Sequence, residues 1–148
     1  MDWERGLWNA AFSGDEEKVK LLINKAKNAN EFVNTGDNAG YSPLHYAARN
    51  GHVNICTVLL KFGAKIDAET RCGKATPLHK AAAAGKSNTV QYLLSCGAKV
   101  DKQDIDGQTA LHKAIQNKRN DIAHILIEAC PHINSIKDFK GNLANDLS

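Results

Sequence analysis

Ser42-Pro43-Leu44-His45 returns along the chain as Thr76-Pro77-Leu78-His79 and again as Thr109-Ala110-Leu111-His112. The closing histidines lie 34 and then 33 residues apart. A tandem repeat of this length is typical of a stacked repeat protein, in which each unit contacts only its neighbours. Such a stack presents a long surface rather than an enclosed pocket.

Each repeat predicts two helices followed by a turn. Ser42 is a favourable helix N-cap, and Pro43 suits the first helical position because its missing N–H costs little there. Gly51 then ends the first helix, since glycine tolerates the left-handed conformation after a helix end. A second, apolar helix follows and closes at Gly63-Ala64. The polar stretch before the next repeat contains a glycine and predicts a tight hairpin.

The recurring blocks resemble the ankyrin repeat family. The resemblance rests on the Ser/Thr-Pro-Leu-His segments and on Ala47-Ala48, Gly51-His52, Leu59-Leu60 and Gly63-Ala64 with their counterparts. It implies an all-α solenoid of helix-turn-helix units joined by β-hairpin loops. We expect one domain over 1–148, with repeats at about 1–36, 37–69, 70–103 and 104–136 and a partial repeat at 137–148.

Three departures from the pattern carry expectations of their own. Trp8 stands where the other repeats have histidine, which indicates that the first unit caps the open end of the stack. Lys118 replaces the turn glycine, and Cys130-Pro131 replaces the later Gly-Ala pair. We expect local weakness there, because a residue other than glycine pays roughly 1–2 kcal/mol in a left-handed conformation.

Composition excludes several classes of protein. The chain of 148 residues is 43% apolar, yet no stretch reaches the roughly 18 apolar residues of a membrane helix. The acidic start, Met1 to Arg5, does not read as a secretory signal. The scattered cysteines, with no C-x-x-C pair, favour free thiols in a reducing compartment and therefore the cytoplasm, the nucleus or both. A monomer is expected.

The residues that could carry catalysis or bind a metal form no recognisable motif. His52 and Cys56 are four residues apart, but no four-ligand spacing accompanies them. Cys56 aligns with Val90 and Ala123, so it is read as a small core residue. In place of metal binding, the resemblance implies that the repeated histidines hydrogen-bond the capping hydroxyl and nearby loop backbone. Without a Gly-x-Ser-x-Gly turn or phosphate-binding loop, we predict no enzyme, no cofactor, no metal and no disulfide.

Positive charge concentrates in the middle of the chain. Residues 70–103 carry six bases and one acid, whereas the net charge of the whole chain is +3. Electrostatic binding of nucleic acid or anionic lipid by this third repeat is therefore the alternative function. It is the weaker hypothesis, because Lys86 and Lys99 should point away from Lys80 and leave no single basic patch.

A non-catalytic protein-interaction module, an adaptor or scaffold, is the leading hypothesis. In the resembled family, ligands lie along a concave groove formed by hairpin tips and first helices. The matching residues expected to contact a partner are Tyr41, Tyr46, Arg49, Arg71, Lys74, Lys80, Gln108, Lys113, Gln116 and Phe139.

Side chains on the first helices indicate which kind of partner segment the groove would favour. Tyr46, Lys80 and Lys113 follow the repeated histidine, so we expect an exposed row, extended by Arg49, that favours a partner segment with acidic residues. The resemblance also implies a modification, since ankyrin repeats are recurrent substrates of asparaginyl hydroxylase. In that family the modified residue is an asparagine in the hairpin, eight residues after a leucine of the helix. Asn134 follows Leu126 at this distance.

Overall fold

A computed structural model of the chain describes residues 2–148, with side chains from residue 3 onward. Within this range the chain forms α-helices and two 3-10 turns and no β-strand, so the all-α prediction is confirmed. None of the described helices combines the length and apolar character that crossing a bilayer needs. The elements are α1 (Asp2–Ser13), α2 (Glu16–Lys25), α3 (Ala29–Val33), α4 (Pro43–Arg49), α5 (Val53–Lys61), α6 (Pro77–Ala84), α7 (Ser87–Ser95), α8 (Ala110–Gln116), α9 (Asn120–Ala129) and the 3-10 turns Pro131–Ser135 and Ala144–Leu147.

The repeated segments begin the first helices as the sequence predicts. Ser42, Thr76 and Thr109 are the N-caps of α4, α6 and α8, and each side-chain oxygen accepts a hydrogen bond from the backbone N–H three residues later. Each cap satisfies one of the backbone donors that a helix start leaves without a partner. The Thr-Pro-Leu-His segment is therefore a local signal that sets where each unit starts.

The units stack through their first helices, and the second helices form an outer layer. The packing runs from α1 to α4, α6 and α8, and the 3-10 turn Ala144–Leu147 covers α8. Close approach is allowed by alanines that are fully buried between the helices: Ala47, Ala48, Ala81, Ala82 and Ala114. Leu59, Leu93 and Leu126, which are also fully buried, form the corresponding row of the outer layer.

The hairpin loops are tied to one another across the repeats. Within the second repeat, Asp37 N–H donates to the Tyr41 carbonyl at 3.0 Å. The N–H of Arg71 donates to the Ala39 carbonyl of the preceding tip at 2.9 Å. Ile105 repeats this bond to Gly73 at 2.9 Å, and Phe139 repeats it to Asp106 at 3.0 Å. These backbone bonds hold the tips in one line beside the first helices.

The turn after α8 contains a lysine in a backbone conformation that favours glycine. Lys118 has φ 59°, whereas the equivalent Gly51 and Gly85 have φ 77° and 78°. Because a Cβ is strained in this region, Lys118→Gly should raise the free energy of unfolding by about 1 kcal/mol. Urea melts followed by circular dichroism measure the change. Lys118→Ala is the control, since it removes the long side chain but keeps the Cβ; an equal gain there would contradict the explanation.

Candidate functional site

The repeated histidines connect each repeat to the next, and they face inward. His45 Nδ1 accepts the backbone N–H of Ser42 at 3.1 Å, so the proton is on Nε2, which donates to the Ala75 carbonyl at 2.8 Å. His79 bonds in the same way to the Gln108 carbonyl at 2.9 Å, and His112 bonds to the Asn142 carbonyl at 3.0 Å. The expectation that these histidines bond the cap and loop backbone is confirmed.

Burial favours the neutral form of the His45 and His79 rings. It lowers the pKa of His45 from 6.5 to about 4, against the opposing effect of the Ala75 carbonyl that Nε2 contacts. The pKa of His79 is lowered for the same reason. A charged imidazole would lose the Nδ1 acceptor, because both ring nitrogens would then be donors. The histidines therefore position the loops beside the groove and are not available as ligands.

A concave recess of about 420 Å³ lies between the hairpin tips and helices α6 and α8. Small residues, among them Ala39, Gly73 and Ala83, form part of its lining. Four of the residues predicted to contact a partner meet here: Tyr41, Lys80, Lys113 and Gln116. Asp104 and Asp106 line it as well, so the recess carries two acids beside its two lysines.

An aromatic row continues from this recess toward the first repeat. The ring of Tyr41 lies 5.3 Å from the ring of Tyr46, which lies 6.1 Å from the ring of Phe12. Lys80 Nζ sits over the Tyr41 ring, 4.7 Å from its centroid, in the range of a cation–π contact. The side chain of Phe12 is 50% exposed, and the sequence analysis did not include it among the residues expected to contact a partner. Phe12 follows Trp8 by four residues, just as Arg49 follows His45. This equivalence could have identified Phe12 as a residue of the groove.

The expectation that Tyr46, Lys80 and Lys113 are all exposed is wrong, since each is partly buried. The Tyr46 hydroxyl donates to the Asp37 carboxylate, and burial, aided by that carboxylate, raises the pKa of Tyr46 to about 12. Lys113 Nζ lies 3.3 Å from Asp104 Oδ2. Substitution of Tyr46 or Lys113 therefore removes a contact within the protein as well as a contact to a partner.

The remaining predicted residues lie outside the central recess. A second recess of about 330 Å³ is lined by Gln108 and Phe139, with Phe139 73% exposed, and Gln116 borders both recesses. Arg49, Arg71 and Lys74 are exposed and line neither recess. A further recess of about 470 Å³ lies at the first repeat, between Trp3 and Phe32, and contains none of the predicted residues.

The bases of the third repeat are dispersed. Lys80 lines the central recess, whereas Lys86 lines a separate one at the start of α7. Lys102 Nζ pairs with Glu69 Oε2 at 2.7 Å. This separation weakens the alternative of a single electrostatic surface for nucleic acid or lipid.

The cysteines and the remaining histidines do not form a metal centre in the described part of the chain. All four cysteines are free thiols, with Cys56 buried and Cys72 and Cys96 exposed. Burial raises the pKa of the Cys56 thiol to about 12, consistent with a core residue. Asn134 lies in the 3-10 turn Pro131–Ser135, where its Nδ2 donates to the Pro131 carbonyl at 3.4 Å.

Comparison with known proteins agrees with the architecture. A family model described as ankyrin repeats (3 copies) matches residues 4–70 and 62–137. Human ankyrin repeat domain-containing protein 39 is 53% identical over 70 residues, which cover 47% of this chain and 36% of that protein. The aligned part thus spans about a third of the relative's length.

Two other kinds of relative also match. Human GA-binding protein subunit beta-1 is 38% identical over 71 residues, or 48% of this chain and 17% of that protein. The probable E3 ubiquitin-protein ligase XBOS33 of Oryza sativa subsp. japonica is 35% identical over 108 residues, or 73% of this chain and 20% of that protein. Each alignment therefore covers a minor part of a longer protein.

Proposed function

Because this chain belongs to the ankyrin repeat family, whose repeats generally mediate protein–protein interaction, we propose that it is a non-catalytic adaptor or scaffold that holds a segment of another protein. The segment lies in the central recess and along the hairpin tips. The observation that carries the proposal is the open recess between α6 and α8, where predicted contact residues from three repeats converge. The chain acts as one binding unit, and its free thiols support a place in the cytoplasm or nucleus.

The charges in the recess support a partner segment with an acidic residue at Lys80. Among the described residues no carboxylate lies within ion-pair distance of Lys80, whereas Lys113 is occupied by Asp104. The reason lies in the hairpins: the third repeat has Thr70 where its neighbours have Asp37 and Asp104. Lys80 therefore keeps an uncompensated charge, and its contact with the Tyr41 ring holds it in place before binding.

The proposed contact surface has three parts. The acidic residue of the partner pairs with Lys80, and an apolar side chain packs on the aromatic row beside it. The hairpin tips and the second recess contact the rest of the segment. The residues proposed to contact the partner are Tyr41, Tyr46, Arg49, Arg71, Lys74, Lys80, Gln108, Lys113, Gln116 and Phe139.

A peptide selection tests this proposal. A random peptide library on phage is selected against the wild-type chain, and the recovered peptides are measured by biolayer interferometry. We expect peptides with Asp or Glu, and Lys80→Glu should weaken their binding by about tenfold, mainly by slowing association. Ala83→Arg, which fills the recess, should abolish binding.

The matched control is Lys61→Glu, the same charge reversal at an exposed position on α5. It should leave peptide binding unchanged. Peptides that bind Ala83→Arg as well as wild type would show that the groove is not the binding surface. A selection that recovers no groove-dependent peptide would contradict the proposal in the same way.

We propose that asparaginyl hydroxylase modifies this chain at Asn134, as the family resemblance implies. The side chain is partly exposed, and its 3.4 Å contact to Pro131 leaves little to break on binding the enzyme. Intact-mass analysis after incubation with the hydroxylase should show one added oxygen. Asn134→Ala is the control and should gain none; an unmodified wild-type chain would exclude this site.

A further inference from the structure

Four hairpin residues occupy equivalent places in the stack, and one of them differs in chemistry from the other three. The N–H groups of Asp37, Asp104 and Asp138 each donate to the carbonyl four residues later and so close their hairpins, at 2.9 to 3.0 Å. The N–H of Thr70 closes the third hairpin in the same way, but to the carbonyl of Ala75, five residues later, at 3.0 Å. Thr70 therefore takes the place of the aspartate, in a hairpin that is one residue longer.

The hairpin aspartates use their two carboxylate oxygens for two different contacts. Oδ1 of Asp104 accepts two N–H groups of its own tip at 2.9 and 3.0 Å, and Oδ1 of Asp37 does the same at 3.0 and 2.9 Å. The other oxygen serves the first helix. Oδ2 of Asp104 lies 3.3 Å from Lys113 Nζ, and Oδ2 of Asp37 accepts the Tyr46 hydroxyl. One carboxylate thus orders a tip and also occupies the polar group of the helix beside it.

Threonine supplies only the first of these two contacts. Thr70 Oγ1 accepts the N–H of Ala75 at 3.1 Å, and a hydroxyl has no second oxygen to offer the helix. Thr70 and Lys80 both line the central recess, and Lys80 is the residue equivalent to Lys113. Thr70 is buried, as Asp104 is, so the stack already accommodates a carboxylate at this level of burial one repeat further on.

We propose that Thr70 determines the specificity of the central recess for acidic partner segments. It orders the hairpin without adding a negative charge, so Lys80 stays available for a carboxylate of the partner. Aspartate at the same place would supply a carboxylate from within the chain and would also repel the acid of the partner. This inference rests on the proposed function, because it assigns the choice of partner at the same recess to one residue.

A first test needs no partner. If the new carboxylate of Thr70→Asp pairs with Lys80, its effect on the melting temperature should be more favourable in the wild-type background than in Lys80→Met, by roughly 2 °C. Calorimetry of the wild type, the two single variants and the double variant measures this coupling, and circular dichroism checks that each is folded. Equal effects in the two backgrounds would overturn the inference and would leave the proposed function in place.

A second test uses the acidic peptides selected against the wild-type chain. Thr70→Asp should bind them about tenfold more weakly than Thr70→Asn, which has nearly the same shape but no charge. Thr57→Asp is the control, because it adds the same charge at an exposed position on α5 and should leave peptide binding unchanged. Equal affinities of Thr70→Asp and Thr70→Asn would show that this residue does not set the specificity.

Asp104→Asn is the reciprocal test in the fourth repeat. Asparagine keeps an acceptor oxygen for the N–H groups of the tip but removes the negative charge next to Lys113. Association of the same peptides should become about threefold faster, and an unchanged or slower rate would overturn the inference. Failure of the proposed function is distinguished by Ala83→Arg, since peptides that bind this variant as well as wild type would overturn both proposals.

Discussion

Leu93→Ala should lower the free energy of unfolding by about 2–5 kcal/mol. Leu93 lies in α7 of a central repeat and is fully buried. Truncation removes its apolar contacts and leaves a cavity, and the neighbouring repeats that pack on both sides limit collapse into it. Urea unfolding followed by circular dichroism gives the free energy directly.

Leu147→Ala is the matched control for this substitution. Leu147 belongs to the 3-10 turn Ala144–Leu147 and is only partly buried, so the same truncation should cost well under half as much. If the two variants lose equal stability, the contribution of packing between neighbours has been misjudged.

Acid should destabilise the stack well above the range in which its carboxylates titrate. The pKa of His45 is about 4 in the folded chain and 6.5 ordinarily, so the unfolded chain binds more protons below 6.5. The stabilisation from the neutral ring is complete above 6.5 and is lost as the pH falls toward 4. For this histidine the loss is about 2 kcal/mol by pH 5 and roughly 3 kcal/mol near pH 4.

His79 should add to this loss, because burial lowers its pKa as well. The carboxylates of Asp121 and Asp138 have lowered pKa values, through the hydrogen bonds from Ser87 and from the Asn142 backbone respectively. Their stabilisation is present above their ordinary range near 3.8 and is lost only at lower pH. Between about pH 7.5 and pH 5 the change in the free energy of unfolding therefore comes from the histidines and not from these carboxylates.

Urea melts across that interval test the prediction. His45→Asn should be less stable than wild type at neutral pH but should show a shallower loss toward pH 5. His124→Gln is the control, because His124 is exposed on α9 and should leave the slope unchanged. If the free energy of unfolding of His45→Asn falls as steeply with pH as that of wild type, the acid sensitivity does not come from His45.

The helices and their caps were readable from the sequence because they depend on local interactions. Ser42 caps α4 through a residue three positions away, and Gly85 ends α6 with φ 78°. The role of the repeated histidines also followed from the family resemblance, since each repeat presents the same short segment. Such signals are repeated along the chain and need no knowledge of what packs against them.

The chemistry of the surface needed the tertiary structure. The sequence shows Tyr46, Lys80 and Lys113 as equivalent positions, yet only Lys80 is without a carboxylate partner among the described residues. The difference arises in the hairpins, where Thr70 replaces aspartate and where each loop folds back onto the first helix of its repeat. Charge compensation between loop and helix depends on this folding.

By itself, the sequence determined the helix starts, because these rest on contacts between residues near in the chain. The stacked all-α fold and the role of the histidines followed from the repeated pattern and its family resemblance. Only the tertiary structure decided which charges remain free in the recess and that Phe12 joins the aromatic row. Residues about one repeat apart come together through the exact stacking of neighbouring units. A repeat pattern gives their register but not the direction or the partner of each side chain.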